Sequence, residues 1–64
     1  MAEFYRDLVA ILRANACHLV RKGKGAHEIW YSPVTKRNFT VPRTTKSRHT
    51  ANEVLKQAGL EKAF

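Results

Sequence analysis

Residues 17–33, "CHLVRKGKGAHEIWYSP", decide how this chain reads. "CHLVRK", residues 17–22, has the form of a short strand. "GKG" breaks it, and Gly23 and Gly25 offer the positive φ that a tight hairpin wants. "AHEIWYS", residues 26–32, is rich in aromatic and β-branched residues and predicts the second strand. Pro33 opens a turn through "PVTKRN", and Asn38 is placed to close it. "NFTV", residues 38–41, predicts a third strand, ended by Pro42, which has no N–H to give to a ladder. Connections this short predict a three-stranded antiparallel meander. Side chains alternate along a strand, so Glu28 faces away from His27. With Ile29 and Tyr31 taken as the core-facing pair, His27 falls on the core side unless the strand begins after it.

Helices flank this meander. Phe4, Leu8, Ile11 and Leu12 recur at helical spacing, and Tyr5 and Val9 widen the stripe. Asn15 is the expected left-handed stop. After the basic loop "PRTTKSR", "TANE" at residues 50–53 reads as a capping box that starts the last helix at Thr50. Ala51, Val54, Leu55 and Ala58 form its apolar face, Gly59 is the expected residue just past its end, and Leu60 and Phe64 fold back onto the core. The order is α-β-β-β-α, an α+β fold. One face of the sheet is expected to carry both helices, and the other to stay open to a partner.

With 64 residues the chain is expected to be one domain over residues 1–64. A domain of this size buries only about 60% of the surface its unfolded chain exposes. Cys17 is the sole cysteine, so no internal disulfide forms, which fits a reducing cytosol. His18, His27 and His49 lie far apart, without the paired spacing of a zinc site, so neither metal nor cofactor is expected. No apolar run is long enough to span a bilayer. The opening segment carries Glu3 and Asp7 and lacks a basic signal-peptide region. The expectation is a soluble, cytoplasmic protein without a membrane partner.

The net charge is +7, from 12 Lys and Arg against 5 Asp and Glu. Its distribution says more than its size. Residues 21–48 hold Arg21, Lys22, Lys24, Lys36, Arg37, Arg43, Lys46 and Arg48, with Glu28 as the only acid. Such a block attracts polyanions, and nucleic acid is the usual one. Small-residue turns also let a backbone approach a phosphate, which adds Gly25 to the candidate phosphate contacts.

His27 sits inside that block. Histidine as a residue type changes charge near neutral pH. RNA carries its own nucleophile, the 2′-OH, so a metal-free ribonuclease needs only to take that proton or to protonate the leaving 5′ oxygen. Cations and N–H donors then stabilise the charge building on the phosphate. No second proton carrier stands out in the sequence.

The chain resembles the HicA-type toxins of bacterial toxin–antitoxin pairs. The resemblance lies in "LVAILRANAC", "RKGKGAHEIWYSP", "RNFTVPR" and "VLKQAGL", and covers nearly the whole chain. It implies a double-stranded-RNA-binding-like fold and an mRNA interferase that cleaves RNA. His27 stands at the position on which the family depends for cleavage. The resemblance further implies neutralisation by a HicB-type antitoxin protein. Members commonly have serine where this chain has Ala26, and often glycine near Ala16. Two other readings stand beside the ribonuclease: an RNA-binding module without chemistry, and a protein-interaction subunit that docks an acidic partner. Only the resemblance separates the first two.

Overall fold

The computed structural model describes residues 4–64; residues 1–3, Glu3 among them, lie outside the described residues. The amphipathic stripe near the start folds as α1 (Tyr5–Ala14), with Leu8 and Leu12 fully buried. Three strands follow: β1 (His18–Lys22), β2 (His27–Ser32) and β3 (Arg37–Pro42). They pair antiparallel in the order β1-β2-β3, as short hairpin connections require. The chain closes with α2 (Arg48–Gln57).

Both helices pack on one face of the sheet. The core joins Leu8 and Leu12 of α1, Trp30 of β2, Phe39 and Val41 of β3, and Ala51, Val54 and Leu55 of α2, with Cys17 and Ala58 beside them. Leu60 and Phe64 return onto it as expected. Asn52 pins the last residue by two 3.0 Å hydrogen bonds to the Phe64 backbone, and the Phe64 ring meets Phe4 edge-on. No helix among the described residues is long and apolar enough to cross a membrane.

The parity of β2 is opposite to the expected one. Glu28, Trp30 and Ser32 face the helices, while His27 is exposed and Ile29 and Tyr31 are half-buried on the open face. Trp30 is the largest fully buried side chain, and its Nε1–H donates to Glu28 Oε1 at 3.1 Å. An indole buries the most apolar surface and needs one acceptor for its N–H. Glu28, two residues away on the same face, supplies that acceptor.

Chain reversals differ from the expected ones in four places. Asn15 caps α1 with φ −107°, and Ala16 is the residue in the left-handed region, at φ 64°. The Ala16 N–H reaches Arg13 O and the Cys17 N–H reaches Leu12 O, a Schellman closure that puts the left-handed residue one position past the cap. In the β1–β2 hairpin only Gly25 has positive φ, at 67°. Gly23 serves by its size instead, because a Cβ there would lie 3.2 Å from the His27 carbonyl oxygen. Lys36, at φ 58°, closes the turn assigned to Asn38, which lies within β3. Finally, α2 starts at Arg48, not Thr50: the Ser47 hydroxyl accepts from the N–H groups of His49 and Thr50. A serine in extended conformation is as good a cap as Thr50 and adds hydrogen-bonded residues to the helix. Gly59, at φ 79°, does end α2 as expected, with Leu60 N–H bonded to Leu55 O at 2.8 Å.

Candidate nucleic-acid interface

Antiparallel pairing brings the end of β1, the start of β2 and the end of β3 to one edge of the sheet. His27 opens β2 there, opposite Pro42. Three main-chain bonds fix its turn. Gly23 N–H donates to His27 O at 2.8 Å, His27 N–H to Lys24 O at 3.3 Å, and Arg43 N–H to Ala26 O at 2.8 Å. Lys24 and Gly25 form the exposed tip. The left-handed Gly25 between Lys24 and Ala26 gives the sharp reversal that leaves His27 at the strand mouth, outside the core.

Both helices begin at this same end. Phe4 N–H, just before α1, donates to Thr45 O at 3.2 Å, and Thr45 lies three residues before α2. Tyr5 of α1 donates its hydroxyl to Glu28 Oε1 at 2.6 Å. Glu28 is 6% exposed, and Arg43 Nε lies 4.0 Å from its second oxygen, Oε2. Burial first, then the hydrogen bond to Glu28 and its charge, push the Tyr5 hydroxyl pKa up to about 12, against a smaller opposing pull from Arg43 and Arg13. Tyr5 therefore stays a neutral donor across the physiological range.

The expected phosphate contacts divide between two ends. Lys22, Lys24, Gly25 and Arg43 lie with His27, and Lys46 and Arg48 follow on the exposed loop and first turn of α2. Lys36 and Arg37 do not join them. Lys36 lies in the β2–β3 turn and Arg37 opens β3, at the far end of the strands, about 17 Å from His27 along β2. Strand direction decides this: a hairpin that places residues 23–26 at one end places residues 33–36 at the other.

The remaining histidines stay apart from His27. His18 lies at the far end of the open face, its ring 5.4 Å from that of Tyr31. His49 lines a shallow groove along α2 with Asn52, Glu53, Lys56, Leu60 and Lys62. Cys17 is buried in the core. Glu28 faces away from His27 as expected, and its oxygens are engaged on the helix side.

The family model described as "HicA toxin of bacterial toxin-antitoxin" matches residues 5–60. The chain belongs to the HicA toxin family. The match runs from the first residue of α1 to just past the end of α2, so it takes in every element of this HicA fold. No curated protein and no solved structure matches the chain.

Sequence reasoning missed the Tyr5–Glu28–Trp30 cluster in this HicA family member. A signal for half of it was present. Glu28 and Trp30 are two apart on a strand, so they share a face, and a lone acid inside a basic block needs a partner. Nothing in the sequence pointed to Tyr5, 23 residues away.

Proposed function

We propose that this chain is the RNA-cleaving toxin of its toxin–antitoxin pair, an mRNA interferase with His27 as its proton carrier. The observation that carries the reading is the placing of His27. It is exposed at the strand mouth, on a glycine turn, with Lys24 on one side and the Arg43 main chain bonded to Ala26 on the other. An exposed histidine among cations and small residues can meet a phosphate; the same residue inside the core cannot.

In this reading the 2′-OH of the substrate attacks the adjacent phosphorus. His27 takes the hydroxyl proton or gives one to the departing 5′ oxygen, and no metal is needed. Lys22, Lys24, Arg43, Lys46, Arg48 and the Gly25 backbone hold the phosphates at the His27 end. Lys36 and Arg37 hold RNA farther along the chain. The affinity is mainly electrostatic and falls steeply with salt. A HicB-type antitoxin, binding over the basic end, blocks His27 and the phosphate path together, in the cytoplasm. The double-stranded-RNA-binding-like character of the α-β-β-β-α fold fits this use, since such folds read RNA by shape, phosphate and 2′-OH.

Ala26 favours a second reading, an RNA-binding module without chemistry, because the hydroxyl common in the family is missing beside His27. The test is cleavage of a long mRNA in EDTA by the purified chain, with His27→Ala and Ala26→Ser beside it. Cleavage by the wild type and not by His27→Ala supports the ribonuclease. Binding without cleavage by the wild type and by Ala26→Ser leaves the binding module.

A further inference from the structure

Glu28 is a buried carboxylate at the His27 end of the sheet, where RNA phosphates are to be held. A negative charge there opposes the ligand, and burying it costs free energy unless it is paired and hydrogen-bonded. Its surroundings provide the compensation. Oε1 accepts from the Tyr5 hydroxyl at 2.6 Å and from Trp30 Nε1 at 3.1 Å. Oε2 is left to face Arg43, whose Nε lies 4.0 Å away. The Arg43 backbone is anchored by its N–H on Ala26 O at 2.8 Å, and its Nε lies at ion-pair distance from Glu28, too far for a hydrogen bond. Yet 56% of its side chain remains exposed, which leaves donors of the guanidinium fork for a ligand.

We propose that Glu28 is a positioning residue that fixes Arg43 as an RNA-phosphate ligand at the His27 end of the sheet. The proposal rests on the RNA reading above and deepens it. Tyr5 and Trp30 lock the carboxylate from α1 and from β2 itself. The carboxylate then steers a long side chain that otherwise samples many rotamers. A guanidinium drawn toward the turn of His27 by that charge loses less freedom when it grips a phosphate. Glu28 thus lowers the net positive charge of the site while improving its geometry. Geometry dominates in the reaction, and charge dominates in loose binding.

That opposition makes the test specific. Glu28→Gln keeps an oxygen for Tyr5 and Trp30 and removes the charge that draws Arg43. It is compared with Arg43→Gln, Arg43→Lys and the double variant Glu28→Gln/Arg43→Gln. Two probes are used: an mRNA for cleavage, and a 2′-O-methyl RNA that cannot be cut, with the Arg43 Nε–H followed by NMR. Expected for Glu28→Gln is a fall in kcat of about tenfold to a hundredfold, with KM unchanged or lower. The Arg43 Nε–H signal should shift on binding 2′-O-methyl RNA in the wild type and lose that response in Glu28→Gln. In the Arg43→Gln background Glu28→Gln should have no further effect.

A Glu28→Gln protein that cuts faster would overturn the proposal and leave only a charge effect. An equal loss from Glu28→Gln with and without Arg43 would also overturn it, since Glu28 would then act through the fold. If Glu28→Gln fails to fold, Arg43→Lys and Arg43→Gln decide: a loss of kcat from both supports a positioned fork, and wild-type rates in both overturn it. If the wild type cuts no RNA, the ribonuclease reading fails by itself. The Arg43 NMR response to 2′-O-methyl RNA still decides the present proposal, its absence in the wild type overturning it.

Discussion

The phenol of Tyr5, in the first turn of α1, donates a 2.6 Å hydrogen bond to Oε1 of Glu28 in the central strand. It ties the first helix to the sheet beside His27. Removing a donor from a buried carboxylate costs more than removing a neutral hydrogen bond. Tyr5→Phe is therefore expected to lower stability by about 1.5–3 kcal/mol at pH 7. Urea unfolding of the two proteins checks this, and equal midpoints would contradict it.

The same bond sets a pH dependence. Burial, and then Glu28, raise the folded-state pKa of Tyr5 from 10.0 to about 12. The folded state therefore keeps the phenol proton after the unfolded chain has lost it. This contribution is complete below pH 10 and is lost as pH rises from about 10 to about 12. The wild type should lose stability across that window faster than Tyr5→Phe, as followed by the difference in their unfolding midpoints. Parallel pH curves would remove Tyr5 as the cause.

Ala16 holds a left-handed φ of 64° with a Cβ in place. Ala16→Gly relieves that strain and is expected to raise stability by about 1 kcal/mol, after the extra freedom glycine brings to the unfolded chain. Asn15→Gly should not do so, because Asn15 sits at φ −107° and its Nδ2 donates to Ile11 O at 2.8 Å. Thermal unfolding of both variants gives the answer. A gain from Asn15→Gly and not from Ala16→Gly would mean that α1 ends one residue earlier.

Ser47 and Thr50 are competing starts for α2, and only Ser47 accepts two backbone N–H groups. Ser47→Ala should cost about 1 kcal/mol, and Thr50→Ala markedly less. Reversal of that order in chemical denaturation would restore Thr50 as the cap.

Two left-handed glycines separate strain from crowding. A Cβ on Gly25 meets nothing within 4 Å, whereas one on Gly59 would lie 2.7 Å from Thr35 Cγ2 and 2.9 Å from Val34 Cγ1. Gly25→Ala should cost about 1–2 kcal/mol from backbone strain alone. Gly59→Ala should cost about 1–3 kcal/mol more, because the β2–β3 turn must move. Calorimetry on the pair tests the difference, and equal losses would show that the turn yields freely.

The two basic ends should separate in RNA assays. Lys36→Ala/Arg37→Ala is expected to weaken RNA binding and reduce the slope of log affinity against log salt by about 1–2. Its cleavage rate at saturating RNA should stay near that of the wild type. A large fall in that rate would bring the far end of the sheet into the reaction.

Local pattern was enough for the element order, the apolar faces of both helices, the glycine stop of α2 and the open sheet face. These depend on spacing and on the backbone limits of single residues, and both are local properties. Ala51, Val54, Leu55 and Ala58 fell at helical spacing, and all four are buried. The caps were ambiguous because Ser47 and Thr50 have equal chemistry, and only packing chooses the frame. The face of β2 was ambiguous for a related reason: Ile29 and Tyr31 are as apolar as a core asks. Trp30 won because Glu28 could satisfy its N–H, and Glu28 could be buried because Tyr5 and Arg43 arrive from elsewhere in the chain. That choice turned His27 outward, while strand direction put Lys36 and Arg37 at the opposite end. Periodicity names the elements one at a time; a buried charge needs several partners at once, and only the assembled helices and sheet bring those partners together.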